Sequence, residues 1–216
     1  MTNLPDPIYL IVGLSALALV PFAAVMLTSF VKLAVVLSLI RNALGVQQIP
    51  PNIALYGLAI IISIFIMAPV GYEISDIVAK NPGALESADG IKLVVEQSIV
   101  PIKAFLSRYA SEQEAAFFLE TAQSLWPEHI AATVQADDML ILVPTFVVSE
   151  LTNAFQIGFL IYLPFIAIDL IISNILLALG MMMVSPMTIS LPFKLLLFVL
   201  VDGWANLIHG LVLSYQ

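Results

Sequence analysis

The sequence predicts an all-α protein built of apolar helical hairpins that lie in or against a membrane, and three observations carry that reading. Of 216 residues, 61% are hydrophobic and 10% charged, against roughly 45–50% and 25% in ordinary soluble domains. The apolar residues come in runs long enough to cross hydrocarbon, where about 20 residues of helix span about 30 Å. Eleven of the fifteen acidic residues are gathered between Gly71 and Asp138. The formal charge of −8 therefore belongs mainly to one water-facing segment. Three regions follow: residues 1–70, an apolar helical hairpin; 71–138, an acidic helical segment; and 139–216, a second apolar helical region.

The stretch Met1 to Pro7 contains Asp6 and no basic residue, so it lacks the positive region that opens a secretory signal. The first run, Ile8 to Ile40, is expected to stay in the mature chain. It is too long for one straight span, and Pro21 is the expected break because it has no N–H to donate. Arg41, Asn42 and Gly45 end the run, and Gln47, Gln48, Pro50, Pro51 and Asn52 make a polar turn. The second run, Ile53 to Val70, is expected to close at Pro69 and Gly71.

In the acidic segment, Ile91, Val94, Val95, Ile102, Phe105, Leu106 and Tyr109 recur near helical spacing, with Pro101 expected to kink or divide the helix. Ser111 and Glu114 fit a capping box. Ala115, Phe118, Leu119, Ala122 and Leu125 form a second stripe, ended by Trp126 and Pro127. The two stripes are expected to pack on each other, with docking on a neighbouring subunit the other reading. After Asp137 and Asp138 come Met139 to Ile168, Leu170 to Val184 and Leu195 to Leu213, the last two separated by a break around Ser185, Pro186, Pro192 and Lys194. Positive residues favour the cytoplasmic side of short loops. Lys32 and Arg41 thus place the Arg41–Asn52 turn inside, and the amino terminus and acidic segment outside.

Enzyme motifs fail in turn. Cysteine is absent, which removes disulfides, thiolate zinc sites and thiol nucleophiles together. There is no glycine-rich phosphate loop, and His129 and His209 have no metal-ligand spacing. The concentration of acid argues against nucleic acid as a ligand, and nothing calls for a cofactor. Charges inside the apolar runs say more, because each is costly there unless it faces protein or a water-filled cavity. They are Lys32, Glu150, Asp169, Lys194 and Asp202. Packing is the favoured reading, a proton or ion path the other. Glu150, Lys194, Asn153 and Gln156 are expected to need partners that a lone chain in lipid does not supply, and Asp202 is grouped with them as an assembly residue. The alternative function, a small-solute or ion transporter using Glu150, Asp169 and Asp202, is weakened by the lack of an internal repeat.

Met181, Met182 and Met183 stand between Gly180 and Ser185-Pro186. Three adjacent helical residues point around roughly 300° of the circumference, so they cannot share one packing face. A bend could present them to a central opening, where a flexible thioether chain adapts to irregular partners. Taken alone, the triplet also reads as ordinary membrane filler.

Four stretches are long, non-repetitive and specific in order: RNALGVQQ from Arg41 to Gln48, PTFVVSELTNAFQIGF from Pro144 to Phe159, GMMMVSP from Gly180 to Pro186, and LPFKLLLFVLVDGW from Leu191 to Trp204. They resemble signatures of the family that includes flagellar FliP and its injectisome counterpart SctR. The likeness covers nearly the whole chain, is weakest from about Tyr72 to Ala136, and looks closest to the YscR-type injectisome branch. Thr145 stands where an alanine is common. The resemblance implies a pore subunit of a type III secretion export gate at the bacterial inner membrane, projecting to the periplasmic side and passing unfolded secreted proteins. It further implies a homo-oligomer of about five copies, joined by SctS-like and SctT-like subunits in a conical helical assembly. In that assembly Met181, Met182 and Met183 would form a methionine gasket, and helices that look transmembrane would pack largely on neighbouring subunits.

Overall fold

The computed structural model describes residues 7–46, 48–84 and 87–216. The basic-free stretch 1–6 and Gln47 of the polar turn lie outside the described residues. The described residues are helical, with no strand, in nine α-helices: α1 (Pro7–Met26), α2 (Phe30–Leu44), α3 (Asn52–Lys80), α4 (Ala88–Tyr109), α5 (Glu112–Leu125), α6 (Glu128–Ala131), α7 (Met139–Ala178), α8 (Pro186–Leu200) and α9 (Gly203–Leu213). Among them α3 and α7 are each long and apolar enough to cross a membrane, and the bent pairs α1/α2 and α8/α9 bring the number to four if each pair counts as one span.

Several breaks fall elsewhere than proline placement predicts. Pro21 sits inside α1, and the chain instead bends by 65° between Met26 and Phe30. Hydroxyls make that break. The Thr28 hydroxyl donates to Ala24 O at 2.6 Å and accepts from Phe30 N–H at 3.3 Å, while the buried Ser29 hydroxyl reaches Ser63 on α3 at 3.1 Å. Such side-chain bonds compete with the helix ladder, whereas a lone proline in an apolar helix forfeits one backbone bond and is tolerated.

Likewise α3 does not stop at Pro69 and Gly71 but continues to Lys80, 29 residues in all. Ile66, Met67 and Val70 pack beside Phe105, Leu106 and Phe146, which holds the helix through both residues. Asn81 ends it, donating to Ile77 O at 2.8 Å and to Gln97 Oε1 at 3.2 Å. Pro101 lies within a single α4, whose start is capped by the Ser87 hydroxyl accepting from Gly90 N–H at 3.1 Å. Ser111 does precede α5, but its side chain makes no cap bond. Its own N–H donates instead to Ser149 Oγ on α7 at 2.8 Å, so the capping box gives way to a tertiary contact.

The longest element is α7, a continuous 40 residues through Pro144, Pro164 and Asp169, about 60 Å at 1.5 Å per residue. It is twice the length that hydrocarbon requires. The α4 and α5 stripes do not form their own hairpin: α4 lies against α3 and α7, and α5 against α7. A main core forms around α2, where Leu33, Val36, Leu37, Ile40, Ala43 and Leu44 are buried against Leu55, Ala59, Ile62, Ala154, Phe165, Phe198, Leu207 and Leu211. The second core joins Phe105 and Leu106 of α4 to Leu142 and Phe146 of α7 and to Tyr215 beyond α9.

Candidate functional site

The methionine triplet occupies the tip of the α7–α8 hairpin. Gly180 ends α7 with φ 72°, a left-handed conformation that favours glycine. Gly180 N–H donates to Leu177 O at 3.0 Å and Met181 N–H to Leu176 O at 2.9 Å, the paired bonds of a glycine helix stop. Pro186 then opens α8 at a position where its missing N–H costs nothing. The five residues between are thus held at both ends while their side chains project away. Met181 is half exposed, Met182 is 81% exposed and Met183 fully exposed. Three flexible apolar side chains are thus presented at the tip, Met182 and Met183 largely uncovered and Met181 partly so.

A polar clamp holds the hairpin behind this tip. Lys194 Nζ on α8 lies 2.6 Å from Asp169 Oδ2 on α7 and donates to Ala43 O on α2 at 3.1 Å. The Ser190 hydroxyl, one turn before Lys194, donates to Asp169 Oδ1 at 2.6 Å. Ala43 is in the last turn of α2, where unsatisfied carbonyls give the helix end partial negative charge. One ammonium thus neutralises both a carboxylate and a helix terminus, fixing the hairpin on the central helix.

A second polar knot sits toward the other end of α2. Lys32 and Glu150, 3% and 0% exposed, are 3.1 Å apart. The Tyr215 hydroxyl donates to Glu150 Oε2, and Lys32 Nζ lies 3.8 Å from the centre of the Tyr215 ring. Tyr109 on α4 donates its hydroxyl to Tyr215 O at 2.5 Å, with the two rings 4.9 Å apart edge to face. Taking two ions out of water costs several kcal/mol each, so such a pair persists only with good geometry and further hydrogen bonds. Both conditions are met, and four elements, α2, α4, α7 and the segment after α9, converge on one ion pair.

The structure therefore corrects one expectation. Glu150 and Lys194 do not wait for another subunit, since both find counter-charges within the chain. Asn153 is half-buried, Gln156 is exposed beside Val148, Leu151, Thr152, Phe155 and Phe159, and neither joins the two knots. Asp202 is exposed at the 59° break between α8 and α9, with φ 49°. The following Gly203 is required there, because a Cβ would collide with the ring of Phe198. Thr145 is fully buried, and its hydroxyl donates to Ile141 O at 2.7 Å, so it leaves no unsatisfied group. Tyr215, Tyr109 and Ser190 were not singled out as site residues. Aromatic and hydroxyl residues in an apolar run carry no spacing signal of their own, and only the fold sets them beside the charges.

Comparison with known proteins gives this arrangement a family. The sequence model of the FliP family matches residues 13–211. The chain is 59% identical over 215 residues to the Yop proteins translocation protein R of Yersinia pestis, covering 100% of this chain and 99% of that one. It is 51% identical over 220 residues to the virulence protein YscR of Salmonella typhimurium, covering 99% and 100%. It is 49% identical over 209 residues to the hypersensitivity response secretion protein HrcR of Ralstonia nicotianae, covering 96% of each. With a match across nearly its whole length and relatives of this identity, the chain belongs to the FliP family, on the branch that includes the YscR and HrcR proteins.

Proposed function

We propose that this chain is a structural pore subunit of the export gate of a bacterial type III secretion machine, conducting unfolded proteins at the inner membrane. The observation that carries the reading is the α7–α8 hairpin: its base is clamped by Lys194, Asp169, Ser190 and Ala43, and its tip presents Met182 and Met183 largely uncovered with Met181 half exposed beside them. Several copies placing these tips at a common axis make a pliable apolar seal. The names of the relatives, which speak of translocation, secretion and virulence, support the same process.

The length of α7 supports assembly. At about 60 Å it runs roughly 30 Å beyond a bilayer core, yet large apolar residues are exposed along it from Leu140 to Leu177. Lipid covers only part of that face, and neighbouring subunits cover the rest: further copies of this chain, about five in all, with SctS-like and SctT-like partners. In this reading the gate projects to the periplasmic side. The transporter alternative needs available carboxylates at membrane depth, but Glu150 and Asp169 are each committed to a lysine, which leaves only Asp202 of the three it would use. Native mass spectrometry of the chain co-expressed with its partner subunits and gently extracted tests the proposal. A multi-copy complex is the expected result, and a dominant monomer with the partners present overturns it.

A further inference from the structure

Six charged side chains stand among the described residues outside the acidic segment: Lys32, Arg41, Glu150, Asp169, Lys194 and Asp202. Four pair off inside the chain, as Lys32 with Glu150 and Lys194 with Asp169. One cation and one anion remain. Among the described residues no carboxylate lies within ion-pair distance of Arg41, which donates to Asn52 Oδ1 and to Pro50 O at 3.4 Å, leaving further guanidinium donors to spare. Among the described residues no cation lies within ion-pair distance of Asp202, although it interrupts an otherwise apolar stretch.

The two remaining charges also lie in stretches of the chain that pack side by side. Lys194 on α8 meets Ala43 of α2, and Tyr215 beyond α9 meets Lys32 of α2, so the chain from 194 to 215 runs antiparallel to α2 between those points. Arg41 lies between Lys32 and Ala43, and Asp202 between Lys194 and Tyr215, so both charges fall in the stretch that those two contacts bracket. In a closed ring each copy offers one face to its neighbour on one side and a different face to the other.

We propose that Arg41 of one copy pairs with Asp202 of the next, so that the two charges left over among these six neutralise one another around the ring. The proposal rests on the multi-copy reading above and adds the contact that sets which faces meet. A groove of about 410 Å³, lined by Val201 and Gly203 on either side of Asp202 in sequence and by Pro164, Phe165, Leu197 and Phe198 among others, gives the methylene stem of an arginine an apolar bed.

The test uses the full chain co-expressed with its partner subunits. Arg41→Glu or Asp202→Arg alone sets like charges together at every contact, and each is expected to lower the assembled fraction of membrane-inserted chain roughly threefold or more. The double variant restores attraction with the signs exchanged and is expected to recover most of the loss. A second measurement avoids dependence on charge reversal. The chain has no cysteine, so a copy with Arg41→Cys and a differently tagged copy with Asp202→Cys can be co-expressed and treated with a short bismaleimide. A product bearing both tags is expected. If the parent chain forms its multi-copy complex, yet the double variant recovers nothing and the assembled cysteine copies give no doubly tagged product, the pairing is wrong while the oligomer stands. If the parent forms no multi-copy complex, both fail together.

Discussion

Lys32 and Glu150 are 118 residues apart in sequence and 3.1 Å apart in space, and the pair is sealed by the ring and hydroxyl of Tyr215. That relationship supports a packing role for Glu150, whose two carboxylate oxygens are taken by Lys32 and Tyr215. Glu150→Leu strands a buried ammonium and is expected to cost about 3–5 kcal/mol, whereas Glu150→Gln keeps shape and hydrogen bonding and costs less. Assembly and thermal stability in detergent should therefore fall further for Leu than for Gln. The Lys32→Met, Glu150→Leu double variant should recover much of the loss, because a buried ion pair replaced by apolar residues is often close to neutral. Equal assembly in the two single variants, with export abolished in both, would point to proton relay instead.

Tyr215→Phe removes one hydrogen bond to a charged group and leaves the ring over Lys32. The expected loss is about 1.5–3 kcal/mol, smaller than for Glu150→Leu. Thermal melts of the two variants side by side check the order, and a Phe variant as damaging as Glu150→Leu would contradict it.

Lys194→Met should loosen the α7–α8 hairpin. The expected cost is roughly 1–3 kcal/mol, below that of a fully buried pair, because Asp169 is a third exposed. Hydrogen exchange should then speed up at Gly180 to Ser185 more than in α2. Unchanged exchange in the loop would show that the clamp does not hold it.

Gly180→Ala puts a side chain at φ 72°, with an expected strain of about 1–2 kcal/mol. Gly180→Asn should be milder, since asparagine visits this conformation more readily. Stability and loop exchange should rank parent, Asn, Ala, and equal values for Ala and parent would contradict the glycine stop.

The α-helical class and the apolar runs were legible because composition and run length act independently of tertiary packing. Helix ends were not. Pro21 and Pro69 each marked an expected boundary and Pro101 an expected kink or division, and all three lie inside helices, since one missing backbone bond does not by itself end an apolar helix. The true break at Leu27 to Ser29 depends on Ser29 meeting Ser63, a contact 34 residues distant that no local pattern contains. Glu150 and Lys194 were visible as costly charges, but their counter-charges were not, because pairing is decided by which helix faces meet. Asn153 and Gln156 lie outside both buried knots.

Ion leakage reports whether Met181, Met182 and Met183 close the pore as a deformable seal. Membrane conductance is measured with matched amounts of assembled complex carrying the parent triplet, a triple Ala variant or a triple Leu variant. Ala removes most of the side-chain volume at a hydrophobic constriction that gates by excluding water. The Ala variant is therefore expected to leak, while Leu keeps the seal closed but, being less pliable than methionine, slows passage of bulky substrate. An Ala complex as tight as the parent would contradict the account and place the seal outside this loop.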